Sequence, residues 1–431
     1  MAIEPAGLLL IGILLLLLAV GIEIAIAMGI TAAIGFTFVT QQSHIQIPWT
    51  AWETLNSFTL LAMPLFIFMG AMFSNSGAVK LLFSGVEKWV NFLPGGLATA
   101  VIGANAIFGA MSGSSIAASA TFSMLSFPEM EKRGYDPKLA FGSIAIGGTL
   151  SVLIPPSLIL IVYCSWENLS VAQIFAAAII PGFILALFLA LTVVCIVKIN
   201  PEKAPKSPAS SFKEKMVAVK DLFPWLVVIG LVMGAIFGGI MTPTEAAALG
   251  AVLSVLLALF YGSLSFTIIK DSALTAVKVT AMIGFVLYTA RLLSFIFQSM
   301  GLTDIFAGMM LDLPLGKYGI LFAICIMYLV LGMFFDSLSM MVLTLPFVMP
   351  IIKTLGFDPV WWGVTYVILA EIGLVTPPFG LNLFTINSVL PQYSIMEIAI
   401  GTLPFLIPML LVIVILIFFP ALALWLPGVM Y

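Results

Sequence analysis

SVLIPP at residues 151–156 and GLVTPP at residues 373–378 are one interruption written twice, 222 residues apart. Two consecutive prolines remove two backbone N–H donors and push the preceding residue out of helical geometry. Each pair lies inside a long apolar run, 139–163 and 360–385, so each reads as a spanning helix broken near its middle. The same offset carries Ser115 onto Ser337, Pro128 onto Pro350, Gly134 onto Gly356, Asp136 onto Asp358 and Pro137 onto Pro359. These are punctuation residues, where backbone shape is set. Upstream, MFSNSGAVKLL (72–82) aligns with SFIFQSMGLTDIF (294–306) at nearly the same offset, so the chain holds two copies of one unit, 56–185 and 280–407.

Two further apolar runs, 94–130 and 318–352, are interrupted by GAMSGSS (109–115) and GMFFDSLS (332–339). Each reads as a helical hairpin with a small, polar tip. Non-helical backbone at membrane depth is tolerated only where it is buried in protein or lines a cavity.

Composition bounds the rest. Of 431 residues, 62% are hydrophobic and 8% charged, against about 25% charged in soluble domains. That excludes a soluble enzyme, and a net charge of −3 excludes an electrostatic nucleic-acid binder. Uninterrupted apolar runs exclude a barrel, which alternates. The fold class is an all-α polytopic membrane protein, with spans expected at 58–76, 139–163, 171–198, 222–240, 244–262, 279–298, 360–385 and 398–427, and two short ones within 6–40 turning near 21–23. Trp49 and Trp52 in the polar stretch 41–53 suit an interface. Cys164, Cys195 and Cys325 have no CxxC spacing, and His44 is the one histidine. No disulfide framework or His-based metal centre is expected, and the N-terminus lacks the basic region of a secretory signal.

The linker is expected at 200–221, with Lys198 and the loop 263–278 (Lys270, Lys278) on the same side, which the positive-inside rule makes cytoplasmic. Both termini then fall outside. Lys80, Lys88, Lys132, Arg133 and Lys138 flank the first hairpin, where the second has Asp304, Asp312 and Lys317 before it and Lys353 with Asp358 after. Equivalent loops differ in charge, so the copies are expected upside down relative to each other, the build of secondary transporters. The expected divisions are N-terminal scaffold spans 1–55, repeat one 56–185, linker and scaffold spans 186–279, repeat two 280–407, and the C-terminal end 408–431.

The breaks free carbonyl oxygens, and hydroxyls stand beside them. That donor set suits a dehydrated monovalent cation. Site one gathers Ser112, Ser114 and Ser115 with Ser151, Ile154 and Pro156; site two gathers Asp336 and Ser337 with Gly373, Thr376 and Pro378. Small residues at a hairpin tip also serve close helix packing. Asp336 reads both as a polar functional group and as a helix cap, roles that are compatible. Glu371 is open between a proton-active and a structural acid, and Glu245 reads as a first-turn acid capped by Thr242 or Thr244. Arg291 is suited to a substrate carboxylate, though snorkelling or an interface salt bridge is the commoner use of such a residue. A serine hydrolase is disfavoured, since the tip serines have no histidine or lysine base nearby.

GSSIAASATFSMLSFPEMEKRGYDPKLA (113–140), GGTLSVLIPPS (147–157), MTPTEAAALGA (241–251), FDSLSMMVLTLPFVMP (335–350) and IGLVTPPFGLN (372–382) resemble the large membrane subunit of the tripartite ATP-independent periplasmic (TRAP) transporters. The resemblance runs over essentially the whole chain. It implies an inverted-repeat, elevator-type importer of the ion-transporter superfamily, with two re-entrant hairpins and Na+ as the coupling ion at both sites. It implies no enzyme activity and no organic cofactor. The implied partners are a small four-helix membrane subunit, expected as a separate polypeptide, and a periplasmic substrate-binding protein. The implied cargo is an organic acid such as a C4-dicarboxylate or a sialic acid, with Ser115, Arg291 and Asn382 as substrate candidates. The implied location is a bacterial inner membrane with both termini periplasmic. A binding-protein-independent sodium/anion symporter or antiporter of the same superfamily is the alternative. Ser151 stands where the family often has glycine.

Overall fold

The computed structural model describes residues 5–39, 44–205 and 210–430, and no strand occurs among them. The start of the polar stretch (40–43) and the middle of the linker (206–209) lie outside the described residues, as do residues 1–4 and 431. Among the described residues, seven helical segments are long and apolar enough to cross a membrane, or eight if the bent pair Gln46–Leu55 and Thr59–Asn75 counts as one span. Their outer faces expose Phe183, Leu187, Leu226, Val252 and Leu256, a surface that only lipid covers without cost.

The element order repeats. Ala78–Val90, Gly96–Ser112, Ser115–Lys132, Pro137–Leu153, Leu158–Glu167 and Val171–Ile199 recur as Leu302–Leu311, Gly316–Gly332, Ser337–Thr354, Pro359–Leu374, Leu381–Val389 and Ile395–Phe418. The joints recur too. Gly134 (φ +77°) and Gly356 (φ +72°) take the left-handed turn after each hairpin. Asp136 Oδ1 accepts from the Lys138 and Leu139 N–H groups, and Asp358 Oδ1 from those of Val360 and Trp361. In both copies a proline follows at the first helical position, where its missing N–H costs nothing.

The copies interlock. Lys353 donates to Glu167 at 2.8 Å, and the Tyr393 hydroxyl donates to Glu131 at 2.8 Å. Positions 131 and 353 are 222 residues apart, so equivalent hairpin ends each reach the far end of the other copy. Such exposed contacts stabilise by about 1 kcal/mol at most, so they register the arrangement rather than hold it together.

What holds it is close backbone packing of each hairpin on its broken helix. A Cβ on Gly373 would lie 2.4 Å from the Gly332 Cα, and one on Gly109 would lie 2.2 Å from the Ser151 Cα. Pro137–Leu153 and Pro359–Leu374 are accordingly almost wholly buried.

Several sequence boundaries shift. The irregular linker ends earlier than 221, because Ser211 and Glu214 form a capping box that starts the helix Phe212–Phe237. Residues 266–278, expected as loop, belong to the 34-residue helix Phe266–Ser299, capped by Ser265. The expected span 398–427 is two helices, Ile395–Phe418 and Ala421–Met430, parted at Pro420. The repeat edges 185, 280 and 407 fall inside helices.

Gly373→Ala should destabilise the protein by about 1–3 kcal/mol through overpacking against Gly332. A lowered thermal midpoint in detergent checks this; an unchanged midpoint would show that the two helices separate without cost.

Candidate functional site

The first tip forms because Gly113 adopts φ +59°, ending one helix so that Ser114 starts the next. Ser114 Oγ accepts from the Ala117 N–H at 3.3 Å, as the N-cap. At the second tip Asp336 caps Ser337–Thr354, its Oδ1 accepting from the Leu338 and Ser339 N–H groups at 3.0 Å each. The capping role weighed for Asp336 is therefore real, and its other oxygen is left for further partners. Each tip sits on a break. A Cβ on Gly113 would be 3.4 Å from the Pro156 carbonyl oxygen, and Gly332 touches Gly373.

The tips also meet each other. A cavity of about 140 Å³ is lined by Gly113, Ser114, Ser115 and Ile116 from one tip and Asp336, Ser337 and Leu338 from the other. Val279, Met282 and Ile283 of Phe266–Ser299 close one side. A second cavity, of about 180 Å³, lies on the other side of the first tip, where Ser112 and Ser114 face Ser74, Asn75 and Thr275.

The helix ends give this region both signs of field. Gly96–Ser112, Pro137–Leu153, Gly316–Gly332 and Pro359–Leu374 end at the tips and breaks, bringing carbonyl-rich, partially negative termini. Ser115–Lys132 and Ser337–Thr354 begin there, bringing N–H groups and partial positive charge. An ion pair, or a cation beside an anionic solute, is what such a place can hold.

Each sequence candidate now has a position. Ser112 Oγ is buried and has no partner, an orphan suited to a cation ligand. Ser115 lies beside Glu371. Ser151 Oγ donates to the Asn105 carbonyl at 3.3 Å inside the helix contact, so its hydroxyl is partly committed to packing. Ile154 is the first extended residue of the break, and Pro156 faces Gly113. In the second copy Ser337 Oγ donates to Glu371, and Thr376 Oγ1 donates to the Ile372 carbonyl at 2.6 Å. Gly373 contributes close approach rather than a side chain, and Pro378 lies inside the break, ahead of the N-cap Gly380 of Leu381–Val389. Asn382 is fully buried with neither amide atom partnered. Arg291 is not brought to the tips. Its guanidinium donates to the Ser165 carbonyl at 3.2 Å and lies 5.4 Å from the Trp166 ring centroid, an interface role. Glu245 caps its own helix with Thr242.

Sequence reasoning passed over Asn105, Ser119 and Tyr366. Asn105 Oδ1 and Ser119 Oγ are buried without partners, and the Tyr366 hydroxyl donates to the Ser337 carbonyl. A lone amide in the apolar run GANAIFGA was the available signal for Asn105.

Residues 11–422 match the family described as the tripartite ATP-independent periplasmic transporter, DctM component. The chain belongs to this family. The permease is 32% identical to the C4-dicarboxylate TRAP transporter large permease protein DctM of Vibrio cholerae, over 99% of this chain and 98% of that one. It is also 32% identical to the isethionate TRAP transporter permease protein DctMQ of Oleidesulfovibrio alaskensis, over 99% of this chain and 67% of that longer protein. Among solved structures, the YdaH transporter of Alcanivorax borkumensis superposes with a TM-score of 0.60 at 14% identity over 98% of each chain, a likeness of fold. The protein is thus the large, multi-pass permease component of a secondary transporter, acting with other components of a tripartite system, and not an enzyme.

Because Asp336 is both cap and charge, its two variants separate the roles. Asp336→Ala should lower stability by about 0.5–2 kcal/mol through the lost cap, whereas Asp336→Asn, an equally good cap, should stay near wild type. Thermal midpoints in sodium-free detergent check this; equal losses would place the importance of Asp336 in its charge.

Proposed function

We propose that the permease is a sodium-coupled importer of a small organic anion, which the two hairpin tips enclose between them. The observation that carries the reading is the cavity lined by both tips, where carbonyl-rich helix ends and two helix N-termini converge. Na+ is a hard cation that suits the orphaned Ser112 hydroxyl and the carbonyls of 151–156 and 373–378. An anionic head group is favoured at the N-termini of Ser115–Lys132 and Ser337–Thr354. The two relatives named for C4-dicarboxylate and isethionate support an anionic cargo.

In this reading the two copies are inverted in a bacterial inner membrane, with both termini periplasmic. The hairpins and broken helices, within 56–185 and 280–407, form a mobile body that moves against the remaining scaffold as an elevator. A periplasmic binding protein delivers the solute. A small four-helix membrane subunit braces the scaffold; the longer DctMQ relative leaves room for such a partner within one chain.

The test is uptake into proteoliposomes holding the permease and its small subunit, with binding protein and radiolabelled C4-dicarboxylate outside. An inward Na+ gradient should drive accumulation, and replacing Na+ by K+ or choline should abolish it. Undiminished uptake in K+ would remove the coupling ion. Ser112→Ala should raise the half-saturating Na+ concentration several-fold, equivalent to about 1 kcal/mol for one neutral oxygen contact.

A further inference from the structure

Glu371 is 1% exposed on Pro359–Leu374, at the junction of the two tips. Its Oε1 accepts from Ser337 Oγ at 3.1 Å. Ser115, the equivalent of Ser337 at the other tip, faces the same carboxylate. Oε2 is buried and takes no hydrogen bond. Among the described residues no basic side chain forms an ion pair with it: the salt bridges are Lys88–Asp221, Arg133 with Glu87 and Glu129, and Lys353–Glu167. Tyr366, five residues earlier on the same helix, holds the Ser337 carbonyl, so this residue is gripped at both ends.

The duplication isolates the carboxylate. The repeat equivalent of Glu371 is Thr149, whose hydroxyl turns back to the Ile146 carbonyl at 2.6 Å. One copy alone supplies an acid, and the equivalent serines of both copies converge on it. A buried carboxylate with an empty oxygen is costly unless a positive charge joins it.

We infer that Glu371 is a cation ligand shared by the two tips. Its free Oε2 and the Ser115 hydroxyl take a monovalent cation, while Oε1 keeps Ser337 in place. The inference rests on the reading that the tips bind cations, and adds a second carboxylate, shared between the tips, to the ligand set. One ion seated here draws both hairpins onto one carboxylate, so occupancy and closure of both tips become one event.

The test is thermal unfolding of the purified permease with its small subunit, titrating NaCl against choline chloride at constant ionic strength. The wild type should gain stability with Na+. Glu371→Gln keeps the size and an acceptor for Ser337 but removes the charge. Its midpoint in choline should equal or exceed wild type, and its half-saturating Na+ concentration should rise about tenfold or more, the scale of one lost charged contact. A wild-type Na+ titration in that variant would overturn the inference while leaving the coupling intact. No Na+ stabilisation of the wild type would overturn the cation reading itself, and this inference with it. Should Glu371→Gln not fold, Ser115→Ala decides. A weakened Na+ response with an unchanged midpoint in choline supports the shared ligand, and an unchanged response contradicts it.

Discussion

A backbone that leaves helical geometry inside a membrane must satisfy its polar groups within the protein, because lipid offers no partners. Among the described residues this chain does so at the tips, 113–114 and 333–336, and at the breaks, 154–157 and 375–380. Left apart, they would scatter orphaned carbonyls and N–H groups through an apolar interior. Stacked tip on break, they share one polar region, and Ser114 and Asp336 cap N–H groups at the start of the second helix of each hairpin. Ser112, Asn105 and Glu371 keep unpartnered oxygens there, the residue of that constraint and the raw material of a site.

The close approach this stacking needs explains the glycines. Gly332 against Gly373 and Gly109 against Ser151 bring helix axes together more closely than larger side chains allow. The serine at 151 fits because the facing hairpin carries a glycine, Gly109, at the point of contact.

Much of this was legible in the residues. PP, GSS, DSLS and the Gly-x-Asp-Pro joints fix backbone shape locally, so their spacing revealed the duplication, the tips and the breaks. What the sequence left hidden depends on tertiary contact. The helix through 266–278 carries Lys270 and Lys278 and reads as loop by composition, yet its long continuation packs and sustains it. Arg291 was open to a substrate carboxylate, with an interface role the commoner use of such a residue, and the contacts with Ser165 and Trp166 fit the interface. Glu371 was open between roles because its distance from Ser115, 256 positions away in sequence, is invisible without the fold.

The functional account depends on the duplicated unit entering the membrane in opposite senses, so that each tip seals the shared cavity from a different face. Lys132 and Thr354 are exposed equivalents under the 222-residue offset. With Cys164, Cys195 and Cys325 replaced, a single cysteine at either position reports its own side. In intact spheroplasts a membrane-impermeant maleimide should label Thr354→Cys and spare Lys132→Cys until the membrane is disrupted. Labelling of both positions from the same face would make the copies parallel and contradict the account.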